Sequence, residues 1–247
     1  MISLKGLIVA PSLIWLGVGT ASAATAQEAP GRMDSAVTEP IQSIVSGEIQ
    51  DVETLLAMAT FVERGDPDAP ITILEFGDFQ CPACQQFALA VKPQIDAAYV
   101  DEGIARFEFR DFPLVSIHAH AFIAARAARC ALDQGGPYFW AFHDRLYEEQ
   151  PTWSASPSPP TDTFVAYAAS IGLDAADFTS CLDSDRHADV VSANMRLGFE
   201  LGVGGTPTLV VSETGEPGYE VSRWNDFGAY QSLIERLLAE AAARDGN

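Results

Sequence analysis

The chain has 247 residues, 48% hydrophobic and 19% charged, a composition typical of a folded globular protein with a substantial core. It carries 14 lysine and arginine residues against 34 aspartate and glutamate residues, a formal net charge of -20, and it has no basic run. Nucleic acid and anionic lipid surfaces would repel such a chain at long range, so we expect no nucleic-acid partner.

Residues 1–23 have the pattern of a cleaved secretory signal peptide. Lys5 precedes an apolar stretch over residues 6–18, and small residues at 21–23 suit signal peptidase. An uncleaved membrane anchor is the alternative, but the apolar stretch is shorter than the ~20 residues that span a bilayer. We therefore expect a periplasmic or secreted protein, in which the four cysteines can form disulfides.

Residues 24–64 are interpreted as an N-terminal leader with short helices. Up to about residue 40 the leader has no sustained apolar period, whereas residues 41–61 carry apolar side chains at helical spacing. A turn-rich segment over residues 64–70 then marks the start of the folded domain.

The first part of this domain, residues 65–116, is predicted to form a βαβ unit. A short apolar, β-branched run over residues 71–76 predicts a buried strand, and a second strand is expected over 105–110. The helix between them carries an apolar face and a proline, Pro93, at which we expect a kink. Two strands joined by a helix pair in parallel.

Residues 117–202 show no strand-like run and predict an all-helical insertion. Helices are expected near 118–133, 137–149, 161–171, 174–182 and 185–201, and the four prolines within 150–160 predict a surface loop.

The last part of the chain, residues 203–247, returns to β character. Strands are expected over 208–211 and 219–222, followed by a final helix capped by Asp226. The sequence thus predicts an α/β protein whose two halves are separated by helices.

The motif Cys81-Pro82-Ala83-Cys84 follows the first predicted strand and begins a helix. Two cysteines at this spacing can close a small disulfide ring, and the free N–H groups of a helix start favour a thiolate at Cys81. We therefore expect Cys81 to be an exposed nucleophile and Cys84 the resolving thiol. Half of a zinc site or a structural bridge is the alternative, but no second such pair supplies further zinc ligands.

The segment Glu75-Phe76-Gly77-Asp78-Phe79-Gln80-Cys81-Pro82-Ala83-Cys84, with Gly205-Thr206-Pro207-Thr208 downstream, resembles the DsbA-like branch of the thioredoxin superfamily over about residues 65–240. The resemblance implies a thioredoxin-like fold with an inserted helical domain. It also implies an extracytoplasmic thiol:disulfide oxidoreductase that needs no bound cofactor or metal beyond its redox-active disulfide.

The resemblance further implies roles for individual residues. Thr206-Pro207 is expected to be a cis peptide beside the dithiol, where Thr206, Pro207, Pro82 and Ala83 contact substrate. Ala83 stands where the best-known member of the family has a histidine, so it adds neither a donor nor a positive charge.

Glu75 occupies the position at which this superfamily buries an acid behind the dithiol. Such a carboxyl has a raised pKa and could relay the proton of Cys84. The alternative is a carboxylate at the strand edge that faces solvent.

Two further sets of residues have mainly structural interpretations. Cys130 and Cys181 are expected to form a structural disulfide, with two free buried thiols as the alternative. His118 and His120 invite a metal hypothesis, but at this spacing they point to different helix faces, so capping or core roles are favoured. Four aromatic residues predict a buried helix face, with a substrate groove lined by one or two of them as the alternative: Phe139, Trp140, Phe142 and Tyr147.

The favoured function is a monomeric oxidase that passes its Cys81-Cys84 disulfide to reduced, unfolded exported proteins and is reoxidised by a membrane redox partner. A reductase or isomerase is the first alternative, although isomerases of this type dimerise through an N-terminal domain larger than the leader here. A holdase chaperone with an idle dithiol is the second alternative.

Overall fold

The computed structural model describes residues 52–245, so the predicted signal peptide and most of the predicted leader lie outside the described residues. A five-stranded sheet in the order β1-β3-β2-β4-β5 forms the centre of the fold. The strands are β1 (Val62–Arg64), β2 (Ile71–Gly77), β3 (Ala105–Asp111), β4 (Thr208–Glu213) and β5 (Tyr219–Glu220).

Helices flank the sheet and fill the segment between β3 and β4. They are α1 (Val52–Met58), α2 (Pro82–Gln86), α3 (Lys92–Ile95), α4 (Ala121–Leu132), α5 (Gly136–Glu148), α6 (Gln150–Ser154), α7 (Thr161–Ser170), α8 (Ala175–Asp183), α9 (Ala188–Glu200) and α10 (Phe227–Asp245). Within the described part of the chain, no helix is long and apolar enough to cross a membrane.

Strand β2 lies at the centre of the sheet, parallel to β3 and antiparallel to β4. Its side chains are buried almost without interruption, as expected for a central strand covered on both faces. Ile73, between Phe107 and Val211 in register, belongs to the main core. The loop that follows β2 is therefore anchored at the C-terminal end of a central, buried strand.

The helix after β2, in which a kink is predicted at Pro93, departs from regular α geometry. Two π-helical segments, Phe87–Val91 and Asp96–Val100, flank the short α3 that contains Pro93. A proline removes one backbone donor, and π turns are a known way to accommodate such an interruption.

Two elements differ from the sequence-based expectations. Residues 62–64, assigned to the leader, form β1 and pair antiparallel with β3, so the sheet begins before Gly65. The surface loop expected over 150–160 begins with α6, whose Trp153 is buried. Pro151 is compatible with α6 because the first turn of a helix needs no N–H donors.

Candidate active site at the Cys81-Cys84 dithiol

Cys81 is the residue at which the chain turns from β2 into helix. Its backbone is still extended, and Pro82 occupies the first turn of α2. The Cys81 N–H donates to the Asp78 carbonyl at 3.0 Å, and the Cys81 carbonyl accepts from Gln85 N–H at 3.1 Å. These bonds fix Cys81 at the helix start and place Cys84 within the first turn.

The two sulfurs, both present as free thiols, have different surroundings. The Cys84 side chain is fully buried, and its Sγ accepts the Asp78 N–H at 3.5 Å. Cys81 is 7% exposed, and its Sγ lies 3.4 Å from the Thr206 carbonyl oxygen. The expectation of a well-exposed Cys81 is therefore wrong, because the residue is largely covered, although it is still the more accessible of the two.

The pKa values of the two thiols move in opposite directions. The hydrogen bond from Cys84 is the main cause that lowers the pKa of Cys81 to about 5, and donors from Thr206, Cys84 and Ala83 add to it against the effect of burial. The Thr206 hydroxyl is buried without a hydrogen-bond partner, so it is available to donate to a thiolate. Burial raises the pKa of Cys84 well above its usual value.

Iodoacetamide is expected to modify Cys81 first in the reduced protein, because at neutral pH Cys81 is a thiolate and Cys84 is a buried thiol. Peptide mass mapping after limiting alkylation measures the ratio. The Cys81→Ala variant is the control, because modification of the dithiol in that variant reports Cys84 alone. Preferential modification of Cys84 would contradict this assignment of nucleophile and resolving thiol.

Glu75 is fully buried behind the dithiol, which rules out the alternative of a solvent-facing carboxylate. Both of its carboxyl oxygens lack a hydrogen-bond partner, and burial raises its pKa to about 8, while the charge of Lys92 opposes the shift. The charge of Glu75 also raises the pKa of Cys84. Glu75 is thus a protonated acid at neutral pH, placed where it acts on the resolving thiol.

Lys92 is a buried cation that the sequence did not reveal. Its Nζ lies 2.7 Å from Asp96 Oδ2 and 4.8 Å from the ring centroids of Phe107 and Trp140. These contacts compensate for the loss of water around the ammonium group. A single lysine within a helix is ordinarily solvated, so its position in the sequence carried no signal.

Side chains of three glutamines bind the dithiol loop to the helical insertion. Gln150 Nε2 donates to the carbonyls of Phe79 and Cys81 at 2.7 and 3.0 Å. Gln80 donates to the Ser154 carbonyl and Gln85 to the Tyr147 carbonyl. The insertion therefore positions the loop. Gln80 lies within the segment that carries the family resemblance, whereas Gln85 and Gln150 belong to no motif that sequence analysis recognised.

The cis peptide expected at Thr206-Pro207 is present. Pro207 is buried and Thr206 half-buried beside Cys81, while Pro82 is exposed and Ala83 half-buried in the first turn of α2. The structure thus brings the dithiol and these four predicted substrate-contacting residues to one place.

The His118 ring contacts the dithiol loop, whereas the His120 ring and the aromatic residues of α5 make other contacts. His118 pairs with Asp78, and the His120 ring binds the Ser156 carbonyl at 2.8 Å. The buried helix face predicted for α5 is confirmed, and the alternative of a substrate groove is wrong, because all four aromatic residues are buried in the main core: Phe139, Trp140, Phe142 and Tyr147.

Cys130 and Cys181 are joined in a disulfide between α4 and α8, with their Cα atoms 5.7 Å apart. Together with His187 they form the group of possible metal ligands found among the described residues. Since the two sulfurs are bonded to each other, this group does not offer a thiolate site for zinc.

Comparison with known proteins places the chain in a family. The family model described as thioredoxin matches residues 58–235. Disulfide bond formation protein D of Bacillus subtilis is 26% identical over 175 residues, which cover 70% of this chain and 75% of that protein. The crystal structure of α-DsbA1 from Wolbachia pipientis superposes with a TM-score of 0.67 at 21% identity, covering 75% of this chain and 94% of that one.

A further similarity is to part of a much longer protein. The Na⁺/H⁺ antiporter NhaA 3 of Salinispora tropica is 34% identical over 149 residues, 60% of this chain but 21% of the antiporter. The chain therefore spans about a fifth of the length of that relative. The family match, the sheet with its helical insertion, and the dithiol opposite a cis proline agree with one another, and the chain is a DsbA-like member of the thioredoxin superfamily.

Proposed function

We propose that this protein is an extracytoplasmic thiol:disulfide oxidase that donates its Cys81-Cys84 disulfide to exported proteins. The observation that carries the proposal is the stabilised thiolate of Cys81, whose pKa is lowered to about 5, beside the fully buried Cys84. A thiolate exists only in the reduced form, so whatever stabilises it favours transfer of the disulfide to another protein.

The exchange takes place in two steps. A substrate thiolate attacks Cys81 Sγ, the bond between Cys81 and Cys84 breaks, and the Cys84 sulfur leaves as a thiolate that takes up a proton from the Glu75 carboxyl. A second substrate thiolate then attacks the substrate sulfur of the mixed disulfide and releases Cys81 as a thiolate. Two electrons pass from the substrate to the enzyme, which ends as the reduced dithiol.

The substrate chain would bind in an extended conformation along Thr206. The main chain of this residue lies beside Cys81 at the start of β4, where it can pair with a peptide as an added strand does. Main-chain pairing is independent of sequence, which suits an enzyme that acts on many reduced, unfolded exported proteins. We further propose that the protein acts as a monomer and that a membrane redox partner restores the disulfide.

The test is oxidation of a reduced, unfolded model protein by the purified, oxidised protein, together with its equilibrium constant against glutathione. We expect rapid oxidation by the wild type, whose potential should lie above about -200 mV. Cys81→Ala and Cys84→Ala should both be inactive, because neither variant can form the disulfide that oxidises the substrate. A potential near about -270 mV, the value of thioredoxin, would instead indicate a reductase. Full activity of Cys81→Ala in suppressing aggregation, with no thiol oxidation by the wild type, would indicate a holdase.

A further inference from the structure

Asp78 connects the dithiol to the loop that leads into the helical insertion. Its main chain binds both cysteines, since its carbonyl accepts the Cys81 N–H and its N–H donates to Cys84 Sγ. Its side chain is 1% exposed and accepts the N–H groups of Gln80 at 2.7 Å and Leu114 at 2.8 Å. A buried carboxylate is thus fixed next to the sulfurs, where its negative charge opposes a second one on Cys81.

His118 lies against this carboxylate. Its Nδ1 is 2.6 Å from Asp78 Oδ2, and the side chain retains 16% exposure. The hydrogen bond to Asp78 is the main cause that raises the pKa of His118, and a charge on Cys81 raises it as well. The imidazolium therefore pairs with the buried carboxylate, and its pKa responds to the charge of the catalytic sulfur.

We propose that His118, oriented by Asp78, is a positioning residue that stabilises the Cys81 thiolate by neutralising Asp78 and placing a positive charge near the sulfur. The dipeptide between the two cysteines supplies no such charge, because Ala83 is apolar. The cation comes instead from the loop before α4, 37 residues after Cys81 in the numbering. This inference rests on the proposed oxidase function, which it deepens.

The interaction must act in both directions. If the charge of His118 stabilises the thiolate, the thiolate stabilises the imidazolium by the same free energy. The disulfide form carries no thiolate, so His118 keeps its proton to a higher pH in the reduced protein than in the oxidised protein. The described groups whose charges act on His118 are Asp78 and Cys81, and only the charge of Cys81 changes with the redox state.

The decisive variant is His118→Gln, because glutamine can still donate a hydrogen bond to Asp78 but carries no charge. The pKa of Cys81, followed by the ultraviolet absorbance of the thiolate, is expected to rise by about one pH unit. Alkylation of Cys81 near pH 5 should then be about five-fold slower. The glutathione equilibrium should shift about ten-fold toward the disulfide, which corresponds to a potential about 30 mV lower.

His187→Gln is the matched control. The His187 ring also pairs with a carboxylate, Asp133, at 3.0 Å, but in the helical insertion beside the Cys130–Cys181 disulfide. It should leave the pKa of Cys81 unchanged. His118→Lys, which restores a cation, should return the pKa of Cys81 toward the wild-type value.

A measurement on the wild-type protein covers the case that His118→Gln does not fold. The His118 ring signal is titrated by NMR in the oxidised and reduced states, and a higher pKa is expected in the reduced state. Identical titration in the two states, or an unchanged pKa of Cys81 in folded His118→Gln, overturns the proposal. Failure of the proposed function is distinguishable, because the wild type would then not oxidise thiols while the pKa of Cys81 still responded to His118.

Discussion

Replacing Glu75 with glutamine is expected to remove a large part of the pH dependence of stability in the reduced protein. In the folded protein Glu75 keeps its proton up to about pH 8, whereas in the unfolded chain it releases the proton near its usual pKa of 4.5. Unfolding therefore releases a proton between these pH values, and the free energy of unfolding falls as pH rises. The slope for one such group is about 1.4 kcal/mol per pH unit, or several kcal/mol over the window.

The measurement is denaturant unfolding of the wild type and of Glu75→Gln at a series of pH values from 5 to 8. The difference between the two unfolding free energies should grow in favour of the variant as pH rises, since glutamine is uncharged throughout. Glu102→Gln, which replaces an exposed carboxylate, is the control and should run parallel to the wild type. Parallel curves for Glu75→Gln would mean that Glu75 is ionised when folded and cannot deliver a proton to Cys84.

Reduction of the Cys130–Cys181 bridge is expected to destabilise the fold by about 4 kcal/mol, because the bridge closes a loop with a sequence separation of 51 in the unfolded chain. The Cys81→Ala/Cys84→Ala variant isolates the effect, since this bridge is then the only disulfide that the chain can form between its remaining cysteines. Unfolding of that variant is compared with and without strong reductant.

In the wild type, mild reductant should open the Cys81-Cys84 disulfide before the Cys130–Cys181 bridge, whose two residues are each 2% exposed. Mass mapping of trapped thiols follows the order of opening. Unchanged stability after full reduction, or free Cys130 and Cys181 in the native protein, would contradict a structural role.

The central strands could be predicted because their residue types are typical of buried strands and not of helices or loops. Residues 71–76 and 208–211 are short, apolar and β-branched, and they form the strands β2 and β4. β1 could not be predicted, since its three residues include one apolar side chain and their extended state comes from pairing with β3. Tertiary contacts, rather than local preference, decide such short elements.

Some residues of the candidate site could likewise be predicted from the sequence, and others could not. The positions of Cys81, Cys84, Glu75 and Pro207 follow from motif spacing, which the resemblance to a known family makes specific. Gln150 could not be found in this manner, because its amide reaches the loop carbonyls only after α6 has packed beside them. Hydrogen bonds from side chain to distant main chain leave no periodicity in the sequence.

The dithiol and Thr206 lie far apart along the chain, and this separation affects the order in which the site can assemble during folding. β3 follows β2 closely along the chain, whereas the whole insertion separates β2 from β4, so we expect β2 to pair with β3 before it pairs with β4. Closing a longer loop costs little extra free energy, about 0.6 kcal/mol for each doubling of its length, but distant pairings slow folding. We therefore expect the Thr206 carbonyl to reach Cys81 late in folding, after the dithiol has taken its place at the start of α2.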